Sequence, residues 1–533
     1  MSPAAAEKRG SVLLLVGVVL AALADALAST VLSLGRADMM GDLHVTPDEF
    51  AWLDISYTAA KLFGFVVVGW LIGHVDARRV LVVVALTLSA ACAASPLATR
   101  LDALVLLRGV QGFSGALLLV AGQVVIFLGY PRKYQPVLQA FFAMGAVVAP
   151  ATVAPAFEGW MLDSFSWKWI FLSVVPLALA AAGLLLVADR PEPDHSAPRA
   201  FDGIGFALLA ILLSSLTYGL TLGNRWNWFD ADRIGWLSLA ALASLLTFCG
   251  WEMLSRRSRA IDPTPFRSAD FTFAFVVSFV AGAALFGSAY LIPAFAVSVL
   301  AFPPTDAGLL LLPSSGLFAC ALLLAAAVIQ ALHVPPFATV PIGILLVMTA
   351  MYLLSGSAGE SGSDDLIPAI LLRGLGLGFL FLSITLIAFD TLPARALATG
   401  IGLFNAGRQL GGLMGVAGLQ ALIDHNLANN AAVLASHVVT GSQAVRERLE
   451  AMAATLVAKG LDAGAASRAA TGILAKAMTG QANIIAFDTA FIAVALLFVV
   501  AAPILILVKV GTARLLGGRT SQSTAALKSS IIP

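Results

Sequence analysis

Residues Leu104 to Val120 read LVLLRGVQGFSGALLLV. The stretch is a helix-length apolar run with one charge, Arg108. Gly109, Gly112 and Gly115 follow it at three-residue steps, so they share roughly one helical face. A charge in hydrocarbon costs about 2.5–3.5 kcal/mol on insertion scales, and one that is kept faces a bundle interior or a wet cavity. A stripe of glycines lets a neighbouring helix come close. The stretch therefore reads as an interior wall that carries a deliberate charge. It also recurs: Leu106-Leu107-Arg108-Gly109 returns as Leu371-Leu372-Arg373-Gly374, inside LLRGLGLGFLFLSI. The echo is the first sign of duplicated halves.

Working outward, the whole chain has the same character. Of its 533 residues, 59% are hydrophobic and only 11% are charged, against about 25% charged in soluble domains. It is an all-α membrane protein by composition. The net charge of +1 says nothing about an acidic partner, and no nucleic acid is expected as one. Cys92, Cys249 and Cys320 lie in apolar runs without metal-ligand spacing and read as small core residues. No GxxxxGK[ST] loop, HExxH pair or CxxC pair occurs, so no metal, cofactor or soluble-enzyme chemistry is expected. GLGLGF at 374–379 lies inside a span and reads as helix packing. Without a nucleotide site, no ATP-driven chemistry is expected.

A membrane-crossing helix needs about 20 apolar residues. Fourteen candidates run over 11–35, 50–73, 79–98, 103–129, 136–157, 166–188, 202–223, 234–254, 271–299, 307–330, 336–355, 366–389, 396–423 and 484–510. The first is too long for a signal-peptide core and reads as a retained span. With the N-terminus inside, the inner loops hold Lys8, Arg9, Arg78, Arg79, Arg132, Lys133, Arg190, Arg199, Arg256, Arg257, Arg259, Arg267 and Arg395. The tail adds Lys509, Arg514, Arg519 and Lys528, while the short outer loops hold only Arg36, Arg100, Lys168, Arg225 and Arg233. The excess places both termini in the cytoplasm. All nine tryptophans fall near span ends, as in an aromatic belt. Residues 189–200 read as a proline-rich linker. The outer segment 424–483 contains QAVRERLEAMAATLVAKG and reads as short helices. The tail from Thr512 reads as disordered.

These residues resemble a known family: the fourteen-helix drug:proton antiporters of the major facilitator superfamily, the EmrB/QacA type. Arg108-Gly109-Val110-Gln111-Gly112 matches the fourth-helix motif R-x-x-Q-G. Ala154-Pro155-Ala156-Phe157-Glu158-Gly159 is a degraded form of the antiporter motif G-P-x-x-G-G. Trp167-Lys168-Trp169-Ile170-Phe171 is similar to the family's W-x-W-I-F. Gly69-Trp70-Leu71 through Arg78-Arg79 is similar to G-x-L-x-D-R-x-G-R-R, with Gly73 in the usual place of the acid and Asp76 nearby. Ala307-Gly308 before Pro313, and Asn405 with Arg408-Gln409-Leu410-Gly411-Gly412, also match.

The resemblance implies the major facilitator superfamily fold: two six-helix bundles and two additional central helices, fourteen transmembrane helices in all. It divides the chain into an N-terminal bundle with linker (1–200), two added helices (201–267), a C-terminal bundle (268–511) holding the outer loop 424–483, and a tail (512–533). It implies alternating access about a central cavity. The chain departs from the family in places. Ala28-Ser29-Thr30 stands where the first helix usually reads L-D-x-T, and Asp25 lies one turn earlier. Asp54 and Lys61 are additions in the second helix, Glu158 replaces a motif glycine and Val297 a common glutamine.

Ionisable residues inside a membrane are functional candidates by default. Asp25 and Arg108 each fall about 9 Å below the outer side at 1.5 Å per residue, so they can share one level. The expected proton-coupling group is Asp25, tuned by Arg108, with Glu158 as a second site. A static Asp25–Arg108 pair between two helices is the alternative. Lys61 reads as a second partner for Asp25 or as a structural charge. Glu158 reads as a substrate or proton site, or as a solvated acid at a helix mouth. Lys61, Gln111, Gln123, Asp54 and Arg408 are the expected cavity residues. Gly69, Asp76, Arg78 and Arg79 are the expected cytoplasmic gate, although positive-inside anchoring explains the arginines as well. Pro155 and Gly159 are the conformational motif. Phe141, Phe142, Phe275, Phe279, Phe286 and Tyr290 either line a greasy cavity or pack.

The expected function is proton-coupled export of amphipathic small molecules across a bacterial cytoplasmic (inner) membrane. The resemblance also implies a periplasmic adaptor and outer-membrane channel in double-membraned bacteria. Two alternatives remain: a dedicated metabolite or siderophore exporter, and a non-transporting scaffold or sensor. The retained buried charges argue against the last.

Overall fold

The computed structural model describes the backbone of residues 11–151, 153–188, 200–254, 259–438 and 442–529. Side chains are described through 501, apart from those at 33, 34, 151, 153, 155, 156, 304 and 305. Lys8, Arg9, Arg190, Arg199, Arg256, Arg257, most of the linker, and the side chains of Lys509, Arg514, Arg519 and Lys528 lie outside the described residues.

The fold is all helical. The spans are α1 (Val12–Leu34), α2 (Pro47–His74), α3 (Ala77–Ala94), α4 (Leu101–Gly129), the interrupted run α5 (Gln135–Ala143, Met144–Val148, Ala149–Ala151, Val153–Ser164), and α6 (Trp167–Val187). Then come α7 (Gly203–Leu222), α8 (Asp232–Leu254), α9 (Ala269–Ser298), α10 (Leu311–Ala331), α11 (Pro336–Leu354), α12 (Ser363–Asp390), α13 (Ala394–His437) and α14 (Ala463–Ser529). Among the described residues, 12 helices are long and apolar enough to cross a membrane. The other two expected segments, 136–157 and 396–423, are helical for reasons of their own. In α5 the α-helix gives way to a π-helical turn at Met144–Val148. Pro150 follows two residues later and cannot donate to the carbonyl one turn back. α13 is a single helix of 44 residues, with Asn405, Arg408, Gln409 and seven glycines diluting its apolar character.

The two halves repeat the same neighbour pattern. In the first, α4 packs on α2, α3 and α1, and α6 packs on α1 and α3. In the second, α12 packs on α10, α11 and α9, and α14 packs on α9 and α11. Across the middle, α2 meets α13 and the first part of α5 meets α10. Each half thus offers its second helix to the other half's fifth. α7 lies on α2 and α13, and α8 packs on α7.

The outer segment differs from short helices alone. α13 runs on through His437, one separate helix spans Gln443–Ala458, and α14 begins at Ala463. The tail from Thr512 continues α14 to Ser529 rather than breaking into coil. Cys92 is buried, but Cys249 and Cys320 are exposed: both sit on outward faces of their helices rather than in the core. Trp167 is likewise not a belt residue. It is buried, and its indole donates to Asp42 Oδ2 at 2.8 Å.

Candidate functional site

α1 and α4 run antiparallel, and their register is fixed by where α4 has no side chain. A methyl added at Gly115 would collide with Asp25 Oδ1, and one at Gly122 would press on Val18. Arg108, one face-repeat earlier, reaches Ala28 O at 2.8 Å. The glycines of α4 therefore do not all serve one contact. Gly112 abuts the backbone of Tyr57 on α2, whereas Gly109 faces open space.

This register corrects the expected pair. Asp25 sits at the level of Gly115, seven residues and about 10 Å along α4 from Arg108. No direct bond forms between them. The partner of Asp25 is Lys61, whose Nζ lies 2.8 Å from Oδ2 and 3.1 Å from Oδ1. Tyr57 completes the group. Its hydroxyl donates to Asp25 Oδ1 at 3.0 Å and accepts from Lys61 Nζ at 3.1 Å. Tyr57 and Lys61 are four apart on α2, so both point at the same place. Asp25 is only 2% exposed. A buried pair needs such extra hydrogen bonds to offset its desolvation.

Arg108 joins the group through the ring rather than the carboxylate. Its guanidinium lies 4.2 Å from the centroid of Tyr57 and donates to Gln111 Oε1 at 2.9 Å. Its Nε and one terminal nitrogen are buried without a hydrogen-bond partner. Asp54 lies half-buried one turn before Tyr57 on α2. Gln111 is fully buried and passes the chain on to Ser95 Oγ at 2.8 Å. It links helices rather than opening on a cavity.

Glu158 is fully buried, not a solvated acid at a helix mouth. Thr30 of α1 covers it and donates to Oε1 at 2.6 Å. α1 therefore touches both buried acids, one as its own Asp25 and one across to α5. Gly159 lies beside Glu158 in Val153–Ser164. The side chain of Pro155 lies outside the described residues.

A second polar chain crosses between the halves. Gln123 of α4 receives a hydrogen bond from Asn405 Nδ2 of α13 at 3.2 Å. Arg408 donates to Asn405 Oδ1 and stacks 4.5 Å from the centroid of Phe381. Arg373, the echo of Arg108, donates to Ser288 Oγ at 2.6 Å, Ser314 Oγ at 3.2 Å and Leu285 O at 3.2 Å.

The expected gate residues divide. A methyl at Gly69 would overlap Thr399 at the start of α13, so this glycine is where the halves touch. Asp76 instead caps α3, accepting from Arg78 N at 2.7 Å. Arg78 caps the end of α6 through the carbonyls of Leu185 and Leu186. Arg79 is exposed and offers only its backbone to Asp76. The His74-side ends of α4 and α12 also meet: Phe127 meets Phe389 edge-on at 5.5 Å, and Arg132 after α4 lies 3.8 Å from Asp390 at the end of α12. The halves thus touch at the end that carries His74. Of the aromatic candidates, Phe275, Phe279 and Phe286 fit against Gly407, Gly411 and Gly412 of α13. They pack helices.

Tyr57 was not visible as a site residue in the sequence. The signal was its spacing, three after Asp54 and four before Lys61 on one helix. The π-helical turn of α5 was missed too, although two prolines five apart marked the place.

The profile of the Major Facilitator Superfamily matches residues 14–416 of this chain. The multidrug export protein EmrB of Escherichia coli is 24% identical over 485 residues, 90% of this chain and 92% of its own. The colistin resistance protein EmrB of Acinetobacter baumannii is 24% identical over 413 residues, 76% of this chain and 79% of its own. Among solved structures, the proton:xylose symporter XylE is similar with a TM-score of 0.56 and 13% identity. The match covers 79% of this chain and 90% of that one, a likeness of fold.

Proposed function

The chain belongs to the major facilitator superfamily, and on that premise we propose that it exports amphipathic small molecules in exchange for protons, by alternating access, from the cytoplasm of a bacterial cell. It is a multi-pass membrane transporter of the EmrB/QacA type, acting on small-molecule substrates. The observation that carries the coupling is the buried group Asp25–Lys61–Tyr57. It is a carboxylate at the centre of a span, held by a cation and a hydroxyl that can both let go. Protonating Asp25 removes the charge that holds Lys61, and Lys61 must then rearrange or find another anion. Arg108 fixes the ring of Tyr57 and so the geometry of the exchange.

Glu158 is the second candidate carrier. Thr30 and Asp25 share α1, so movement of that helix would act on both acids. With both termini in the cytoplasm, the sealed His74 end is the cytoplasmic end, and the structure is the form closed to the cytoplasm. Gly69 against Thr399 forms its seal. The names of the relatives, multidrug export and colistin resistance, support a drug-like substrate. A periplasmic adaptor and outer-membrane channel remain part of the proposal where the host has two membranes.

The test uses proteoliposomes with an imposed pH gradient. Lumenal pH is followed while cationic, neutral and anionic amphiphiles are added. Substrate-triggered proton movement in wild type, lost in Asp25→Asn, is expected. Movement retained in the variant would assign the proton to Glu158, and no movement with any compound would overturn the reading.

A further inference from the structure

α7 lies against both α2 and α13 but is held unequally on the two sides. Near mid-span, Leu209 and Leu213 share an apolar cluster with Leu62 and Val66 of α2, and Leu410 and Leu413 of α13 rest on its edge. At the end away from His74 the ties to α2 multiply. Ile55 of α2, Leu222 of α7 and Ile234 of α8 form a second apolar cluster. Trp52 packs on Tyr218 with ring centroids 5.0 Å apart, and Arg225 pairs with Asp48 at the start of α2. Toward α13 there is one polar tie. Asn224 Nδ2 donates to Asp424 Oδ2 at 2.6 Å. Among the described residues no other side-chain hydrogen bond joins α7, α8 or their loop to α13.

The loop that carries Asn224 and Arg225 is folded rather than slack. A methyl at Gly223 would strike the carbonyl of Gly219 and the ring of Trp228. Trp228 N donates to Gly223 O at 2.6 Å. Asn227 and Trp228 take left-handed backbone at φ 50° and 55°, which residues other than glycine adopt rarely. Two neighbouring side chains are thus presented to two different halves, Arg225 to α2 and Asn224 to α13. Asp424 lies 25 residues beyond Thr399, about 38 Å along α13 from the contact with Gly69. Rocking of one half on the other displaces that far end most, and a single surface bond there yields before the apolar clusters do.

We infer that α7 and α8 travel with the first half, and that Asn224–Asp424 is a latch between the halves that opens in every transport cycle. The inference rests on the alternating-access reading and adds a part to it. The latch is closed in the form described, in which the halves also touch at the His74 end. Loss of the latch bond therefore weakens this form and not the one in which the latch is already open. The pairing of Arg225 with Asp48 stays made throughout, because both sit on the body that moves together.

The test has two arms, both on the full chain with the exposed Cys249 and Cys320 replaced by serine. In the first, spin labels at positions 132 and 390 read the seam at the His74 end, where Arg132 lies 3.8 Å from Asp390. In phosphatidylcholine nanodiscs, Asn224→Ala should raise the long-distance population about fivefold. Asp424→Ala added to it should raise that population no further. Distances unchanged by Asn224→Ala, or a second equal rise in the double variant, would overturn the latch. In the second arm, cysteines at 224 and 424 are joined by a reducible thiosulfonate cross-linker. The link should stop the proton movement triggered by dodecyltrimethylammonium or dodecanoate in proteoliposomes, and reduction should restore it. The same link between positions 48 and 225 should leave the movement within about twofold of its rate before linking. Movement that continues through the 224–424 link would overturn the latch, and arrest by the 48–225 link would overturn the assignment of α7 and α8 to the first half. The distance arm needs no substrate, so the two readings fail separately. A latch-dependent shift without proton movement in any unlinked protein would sink the export reading alone. Proton movement without the shift would sink this inference alone.

Discussion

Arg108 and Arg373 occupy the same place in the two halves and keep opposite company. Each follows a Leu-Leu pair, sits on the fourth helix of its half and reaches back to that half's first and second helices. Around Arg108 stand Tyr57 and Gln111, with Asp25 and Lys61 one contact away. Around Arg373 stand only serine hydroxyls and a carbonyl. A duplicated frame has thus been filled with titratable chemistry on one side and with fixed positive charge on the other. The proposed coupling belongs to the first half.

Asp25→Asn should do two things that differ in remedy. It removes the proposed proton site, and it strands Lys61 in the interior. Breaking a buried pair from one side costs about 3–5 kcal/mol. Lys61→Met added to Asp25→Asn should recover most of the thermal stability but none of the coupled proton movement. Recovery of both would reduce the pair to a structural tie.

Tyr57 has two roles that substitution can separate. Tyr57→Phe keeps the ring under Arg108 and deletes the hydroxyl that binds Asp25 and Lys61. A lost hydrogen bond of this kind costs about 1 kcal/mol. Tyr57→Ala removes the ring as well, and Arg108 already has two buried nitrogens without partners. Its melting temperature should fall clearly further than that of Tyr57→Phe. Equal shifts would mean that the stacking contributes nothing.

The glycines of α4 give a control inside one helix. Gly115→Ala places a methyl on Asp25 Oδ1, while Gly109→Ala meets nothing within 4 Å. Gly115→Ala should abolish coupled transport or unseat the Asp25–Lys61 pair, and Gly109→Ala should leave transport unchanged and raise the melting temperature slightly, since alanine is up to about 1 kcal/mol better in a helix. Equal effects from the two would refute the α1–α4 register.

That register also marks how far the sequence could be read. The repeated LLRG, the lone arginine and the small residues after it were enough to foresee α4 as an interior wall and the chain as two halves. Depth counted from the helix ends was not enough to pair residues. It set Asp25 and Arg108 at one level because it ignored the loop offset between two antiparallel helices. Lys61 as a partner of Asp25 was among the readings the sequence offered, but the place of Tyr57 in the group depends on rotations that apolar spans do not report, since a helix hydrophobic on every side has no readable face. Glu158 looked like a mouth residue for the same reason: its cover, Thr30, comes from another helix. α13 kept a family motif, Asn405 through Gly412, and its glycines proved to be contacts for α9. Arg408 stacks on Phe381 of α12, a contact that only the packed structure brings together.

The tie between Gln123 and Asn405 holds the halves together just inside the sealed end. Asn405→Ala leaves the Gln123 carbonyl oxygen without that donor and frees Arg408 from its neutral partner. A bond of about 1 kcal/mol corresponds to roughly a fivefold shift in a two-state equilibrium. The sealed form should lose that much population to a form open at the His74 end. Spin labels at positions 132 and 390 would read it, because Arg132 and Asp390 lie across the seam at 3.8 Å and are largely exposed. Cys249 and Cys320 are exposed and must first be replaced by serine. A longer-distance population in Asn405→Ala, restored to the short distance in Asn405→Gln, is the expected result. Distance distributions identical to wild type would show that the amide bridge does not hold the seam and that the packing of Gly69 on Thr399 suffices alone.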